Sequence, residues 1–348
     1  MNPYVLAILL SSLGLGTTLT FASSHWLLAW MGLEINTLAI IPLMAQHHHP
    51  RAVEATTKYF LTQATAAAMI MFASTTNAWA TGEWDMNDMS NPIASTMIIT
   101  ALAFKIGLAP MHFWMPEVLQ GLDLMTGLIL STWQKLAPLA LIIQTAQAVD
   151  PMLLTALGIM SALVGGWGGL NQTQLRKVLA YSSIAHMGWM IIILQYAPQL
   201  TLLALGTYIF MTSAAFLTLK VSSATSISTL STVWSKSPIL TTTTALVLLS
   251  LGGLPPLTGF MPKWLILQEL AKQNLPVTAT IMALAALLSL YFYLRLCYAM
   301  TLTISPNTTN STTPWRIQTA QSSLPLALST TVALGFLPMT PAIMMLAT

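Results

Sequence analysis

Apolar residues in this chain come in long runs, not in the alternations of half-buried surface elements. Met152–Leu163 and Ile281–Leu290 are almost without polar interruption. Runs of this kind recur along the whole chain, each near the ~20 residues that cross a bilayer as a helix. Strands of a membrane barrel would instead alternate over ~10 residues. The pattern predicts an all-α polytopic bundle of about eleven helices, centred near Ser12, Glu34, Ala66, Lys105, Lys135, Met160, Ser183, Phe210, Gly253, Leu288 and Ala333. Turn-like breaks separate them at Ser23-Ser24, His47–Pro50, Gly82–Pro92, Asp150-Pro151, Ala197-Pro198, Ser222–Ser237 and Ser305–Pro314.

The composition points the same way. Charged residues make up 6% of the 348 positions and hydrophobic ones 55%, whereas a soluble domain carries about 25% charged residues. A net charge of +3, scattered along the chain, excludes nucleic acid as a partner and leaves membrane lipids. One cysteine, Cys297, excludes an internal disulfide framework and an iron–sulfur cluster. The N-terminal run has neither the basic flank nor the small-residue cleavage site of a removable signal, and reads as a span. The His47–His49 tract reads as an interfacial loop, and Gly165–Gly169 as a site of close helix packing.

Lys and Arg near the helix ends are lopsided. Arg51, Lys58, Arg176, Lys177, Lys220, Lys236 and Arg316 fall on one predicted side. Lys272, Glu83, Asp85, Asp88 and Asp150 fall on the other. The positive-inside rule then puts the N-terminus on the positive side and the C-terminus opposite.

One segment recurs. Gly107-Leu108-Ala109-Pro110 leads through His112 to Met115-Pro116-Glu117, and Gly253-Leu254-Pro255-Pro256 leads to Met261-Pro262-Lys263. Aligned without gaps, the two agree at the Gly, the Leu, one Pro, the Met and the second Pro. About five helices separate them, an odd number, which predicts copies running in opposite directions. The pattern is an inverted-topology repeat with two discontinuous helices, the construction of many transporters. It sets approximate half-repeats of 1-147 and 151-303 and a C-terminal helix over 323-345, all within one membrane domain. Each proline lacks the N–H that an upstream carbonyl needs, so Pro110 and Pro255-Pro256 are expected to interrupt their helices and free carbonyls for other partners.

Glu34, Lys105 and Lys135 lie near the midpoints of predicted helices, and Lys263 lies in the second broken one. Each costs about 2.5–3.5 kcal/mol at a helix centre, and together on the order of 10 kcal/mol. Static ion pairing is the plain alternative, but three lysines cannot all pair with one glutamate. A buried lysine able to shed its proton is a proton carrier. His112 and His186 are weaker candidates for the same path, since a helix-borne histidine is as often a packing residue.

The segment Asn171–Gly188, with Arg176-Lys177 and Ser182-Ser183 at its centre, resembles a signature of the antiporter-like membrane subunits of respiratory complex I, relatives of the Mrp-type sodium/proton antiporters. Met1-Asn2-Pro3 and Trp30–Asn36 are similar to the vertebrate mitochondrial members, and the resemblance covers essentially the whole chain. It implies proton-path roles for Glu34, Lys105, Lys135 and Lys263. It also implies a contribution to proton translocation coupled to electron transfer from NADH to ubiquinone, and a place in the mitochondrial inner membrane with the positive side facing the matrix. NADH, flavin, iron–sulfur clusters and ubiquinone would be handled by other subunits, with no cofactor or metal in this chain. Its partners would be other membrane-arm subunits, neighbouring antiporter-like ones among them. The chain departs from bacterial relatives in lacking about three leading helices. A stand-alone cation/proton antiporter would share the fold, and a purely structural subunit would keep pumping after loss of Lys105 or Lys135. A haem carrier would need paired axial histidines, and the two helix-borne ones stand on different helices. The Asn307 and Asn310 sequons are expected to be bare in a mitochondrial setting.

Overall fold

The computed structural model describes residues 2–46, 49–86, 88–89, 91–235, 237–302 and 323–347. The Asn307 and Asn310 sequons, Lys236, Arg316, His47 and His48 lie outside them. The described residues form sixteen α-helices: α1 (Pro3–Ala22), α2 (Trp26–Met44), α3 (Pro50–Thr81), α4 (Pro92–Ile106), α5 (Trp114–Gly121), α6 (Leu124–Ser131), α7 (Trp133–Thr145), α8 (Pro151–Gly169), α9 (Leu175–Ile193), α10 (Pro198–Ser222), α11 (Ile227–Ser231), α12 (Pro238–Gly252), α13 (Phe260–Lys272), α14 (Pro276–Thr301), α15 (Leu324–Gly335) and α16 (Thr340–Ala347). Among them no strand forms, only the isolated bridges His25–Asp85 and Gln174–Ser226.

The predicted bundle is borne out. Each of the eleven expected centres falls on a helix or at the junction of a broken one. Six spans are long and apolar enough to cross a membrane by themselves: α1, α2, α6–α7, α8, α10 and α14. The shorter apolar helices among the described residues are α4, α12 and α15; α4 and α12 lead into the two breaks. Proline opens many helices, among them α1, α3, α4, α10, α12 and α14, at the position where its missing N–H costs nothing.

The chain divides into two compact units, Met1–Ser161 and Ala162–Thr348. In the first, α1 packs on α2, α3 on α2, α4 and α5, and α7 on α1, α2 and α4. Gly16 and Gly32 let α1 and α2 approach: a Cβ on Gly32 would come within 2.8 Å of the Gly16 carbonyl oxygen. In the second, α10 packs against α9, α12, α13 and α15, and α14 against α12, α13 and α9. Close packing at Gly165–Gly169 is also present. A Cβ on Gly165 would sit 2.6 Å from the Ala185 nitrogen, and one on Gly169 2.7 Å from the Phe292 ring.

Both discontinuous helices are present, but glycine, not proline, ends their first halves. Gly107 adopts φ 84° and Gly253 φ 82°, the left-handed region that side chains resist. The Gly107 N–H bonds back to the carbonyls of Ala103 and Phe104, and the Leu108 N–H to Ala103 at 2.9 Å. Gly253 and Leu254 repeat the pattern on Leu249 and Ser250. This is a Schellman-type cap, after which proline commonly follows because it cannot continue the helix. Pro110 and Pro255-Pro256 therefore sit in the connecting loop and keep the halves apart; they do not interrupt a running helix.

Candidate functional site: two buried lysine cavities

In the first unit, the α4 cap fixes Lys105 in the last helical turn, one residue before Ile106 closes it. Lys135 stands in the first turn of α7, after the chain bends at Thr132. Both are buried, at 6% and 2% exposure, and both line one small cavity of mixed polar and apolar character. Asn36 and Thr37 of α2, Tyr59 and Gln63 of α3, and Gln134 complete its polar wall. About 10 Å³ of room remains inside, on the scale of a single water.

The Lys105 ammonium has no hydrogen-bond partner among the described residues. It stands at the negative end of the α4 dipole, which favours a cation there. Glu34 does not line the cavity directly. It is half-buried on α2, and its Oε2 accepts a 2.7 Å hydrogen bond from the Thr37 hydroxyl. Thr37 is thus the link between the carboxylate and the cavity wall. Lys58 pairs with Glu54 and Glu117, and Lys272 with Glu269; Glu34 is not hydrogen-bonded to the Lys105 ammonium. His112 is buried in the loop after the break, its Nδ1 3.3 Å from the Pro110 carbonyl and its ring 4.3 Å from that of Phe113.

The second unit holds a counterpart. Lys263, 9% exposed in the first turn of α13, donates a 2.9 Å hydrogen bond to the Gly252 carbonyl. That carbonyl is one of those the helix break frees. Lys263 shares a cavity with His186, Trp189, Met190, Thr207 and Met211, and the His186 ring lies 5.6 Å from that of Tyr208. The structure therefore gathers Lys105 with Lys135, and Lys263 with His186.

Sequence reasoning overlooked the neutral wall of the first cavity and one cation. Asn36 and Thr37 follow Glu34 within a turn and Gln134 adjoins Lys135, so a search for polar residues beside the rare charges would have flagged these, though not their convergence with Gln63. Arg295 on α14 was also missed. Its guanidinium donates to the Leu170 carbonyl at 2.6 Å, just past the end of α8, where a helix leaves carbonyls unpaired.

Comparison with known proteins places the chain in a family. The family described as NADH:quinone oxidoreductase/Mrp antiporter, transmembrane, matches residues 23–289, and that described as NADH dehydrogenase subunit 2 C-terminus matches 290–344. The chain is 85% identical over the full length of both to NADH-ubiquinone oxidoreductase chain 2 of Carassius auratus, and equally to that of Cyprinus carpio. A chain in the structure of respiratory complex I from Thermus thermophilus superposes with a TM-score of 0.87 at 29% identity, over 99% of this chain and 80% of that one. This chain belongs to the NADH:quinone oxidoreductase/Mrp antiporter family of membrane proteins.

Proposed function

We propose that the chain is a membrane-arm subunit of a proton-translocating NADH:ubiquinone oxidoreductase of the mitochondrial inner membrane, with its Lys/Arg-rich side toward the matrix. Membrane lipids and other membrane-arm subunits, antiporter-like ones among them, are its partners, and the redox cofactors belong to other subunits. Glu34, Lys105 and Lys135 form the proton-exchanging group of the first unit, and Lys263, with His186 nearby, that of the second; His112 stands beside the first as an auxiliary.

The observation that carries the reading is the shared cavity of Lys105 and Lys135. Two ammonium groups buried against one water-sized space repel each other and are poorly solvated. The arrangement is stable when one of the pair is neutral, and a proton can then pass between them. Glu34, reaching the cavity through Thr37, biases which amine holds the proton. The energy such a site costs is hard to explain as packing, since Met or Leu would fill the same volume at none of it.

The test is Lys135→Met in the intact complex, reconstituted in sealed vesicles. Methionine keeps the length and apolar stem but cannot titrate. The complex is expected to assemble and to show a reduced proton-to-electron ratio with slowed quinone reduction. Normal assembly with an unchanged ratio would leave only a structural role.

A further inference from the structure

We propose that the Asn36 side chain anchors a water in the cavity between Lys105 and Lys135, and so acts as a positioning residue for proton exchange between the two amines. The inference rests on the relay reading of the same cavity and names the group that bridges it.

Asn36 is 2% exposed, yet among the described residues both polar atoms of its side chain lack a hydrogen-bond partner. A carboxamide offers two donors and a two-lone-pair acceptor, and burying one such group unpaired costs about 1–3 kcal/mol. The Lys105 ammonium is the second unpartnered polar group on the same cavity wall. Buried polar groups without protein partners are the places where ordered water is held, given room and two to four partners. Here the room is about 10 Å³, and Thr37, Gln63, Gln134 and Lys135 line it with Asn36 and Lys105, beside apolar side chains such as Leu33 and Leu130.

The backbone of Asn36 is also held in place. The backbone carbonyl of Asn36 accepts from Gln134 Nε2 at 3.2 Å, which ties α2 to the start of α7 beside Lys135. On the other side lies Gly16 of α1, where an added Cβ would collide with Asn36 Oδ1. The missing side chain at 16 is what gives the amide its room.

A lysine ammonium only donates, and the neutral amine beside it can accept. A water within reach of both serves as the carrier between them. It accepts a proton from the Lys105 ammonium while giving one of its own to the neutral Lys135 amine. One N–H bond breaks at Lys105, one forms at Lys135, and the water is regenerated without change of oxidation state. Asn36 takes no proton; it fixes the water's position by donating to it or accepting from it.

The test compares Asn36→Leu and Asn36→Ser with Lys135→Met in the intact complex in sealed vesicles, reading the proton-to-electron ratio and the solvent deuterium effect on it. Leucine has a similar size but no polar atom, and is expected to lower the ratio by the share that Lys135→Met removes. Serine keeps a hydroxyl and leaves space for a second water, and is expected to stay near the wild-type ratio with an altered deuterium effect. If Asn36→Leu pumps at the wild-type ratio while Lys135→Met does not, the Asn36 assignment falls and the relay stands. If both pump normally, the relay falls as well. Equal loss in the leucine and serine variants would make Asn36 a packing residue and overturn the proposal. Should Asn36→Leu fail to assemble, the wild-type complex at a resolution showing internal waters decides. Density within hydrogen-bonding distance of the Asn36 amide supports the proposal, and its absence where other internal waters are seen refutes it.

Discussion

The two broken helices use one backbone device and assign its charge in opposite ways. Both first halves end on a left-handed glycine followed by leucine, with the same backward hydrogen bonds. In the α4–α5 pair the buried cation precedes the break, at Lys105, and its ammonium bonds to no described residue. The carbonyl of Phe104 is taken by the Trp114 indole N–H at 3.1 Å, and Glu117 beyond the break is exposed and paired with Lys58. In the α12–α13 pair the position aligned with Lys105 is Leu251, and the position aligned with Glu117 is Lys263. Here the cation follows the break and satisfies the Gly252 carbonyl itself. The second break is further tied to α15, because Ser250 and Thr258 both donate to the Ala333 carbonyl. A break in a membrane helix thus needs donors for its carbonyls, but the donor can be neutral, which leaves the nearby lysine uncommitted, or the lysine itself.

The largest consequence concerns transport. If the uncommitted lysine is the labile one, Lys105→Met lowers the proton-to-electron ratio as deeply as Lys135→Met while the assembled complex keeps its thermal stability. Vesicle pumping assays beside calorimetry of the same preparations measure both. A stability loss equal to that of Lys263→Met would erase the distinction between the two breaks.

The glycines sharpen it next. Gly107→Ala and Gly253→Ala each force an L-residue into the left-handed region, at a cost of about 1–2 kcal/mol. At 107 the new methyl meets only ordinary contacts, 3.4 Å from Met115 and Trp114. At 253 it would lie 2.9 Å from Lys263 Cδ and 3.0 Å from its Nζ. Gly253→Ala is therefore expected to be the more destabilising, and to move the Lys263 ammonium off the Gly252 carbonyl. Equal melting shifts for the two variants would mean that the ammonium yields freely.

How far these features could be read beforehand follows from the same residues. The apolar helices were readable because few polar residues interrupt their runs. The two breaks were readable because Gly-Leu and Pro recur at fixed spacing, and Lys105, Lys135 and Lys263 because charges are rare in such helices. What stopped each helix was misassigned: Pro110 is conspicuous in sequence, whereas the work of Gly107 depends on a backbone angle. The wall of the first cavity was hidden for a different reason. Asn36, Gln63 and Gln134 come from three helices distant in sequence, and nothing linear says they converge. The carbonyl partner of Lys263 depends on how the loop after Gly253 places the start of α13, which no spacing encodes.

A smaller effect is expected from the committed lysine. Lys263→Met leaves the Gly252 carbonyl without its ammonium donor, and a buried acceptor so stranded costs about 1–3 kcal/mol. Lys105→Met strands no partner, and removes an ammonium that is poorly solvated where it stands. Thermal denaturation of the two variants should separate them in that order, with Lys105→Met at or above wild type. The reverse order would show that Lys105 has a structural partner outside this chain and that Lys263 bonds only weakly.

The smallest effect belongs to Glu117, the residue that occupies in the first copy the place Lys263 holds in the second. Its carboxylate meets the Lys58 ammonium at 2.8 Å, and Lys58 also bridges to Glu54 at 2.8 Å one turn away. The side chains of Lys58 and Glu117 are 43% and 54% exposed. Exposed pairs gain little, because water solvates the separated charges nearly as well and salt screens what remains. Lys58 also keeps Glu54 when Glu117 is neutralised. The joint between α5 and α3 does not depend on the pair alone: a Cβ on Gly121 of α5 would come within 2.6 Å of the Arg51 carbonyl oxygen, so the backbones already touch. Glu117→Gln is therefore expected to leave the melting temperature and the pumping ratio of the complex unchanged at moderate salt, with any shift seen only at low ionic strength. A loss of pumping that persists in high salt would break the comparison. It would mean that the aligned position carries a working charge in both copies, of opposite sign, and that the first unit's proton path runs beyond the cavity through the second half of its broken helix.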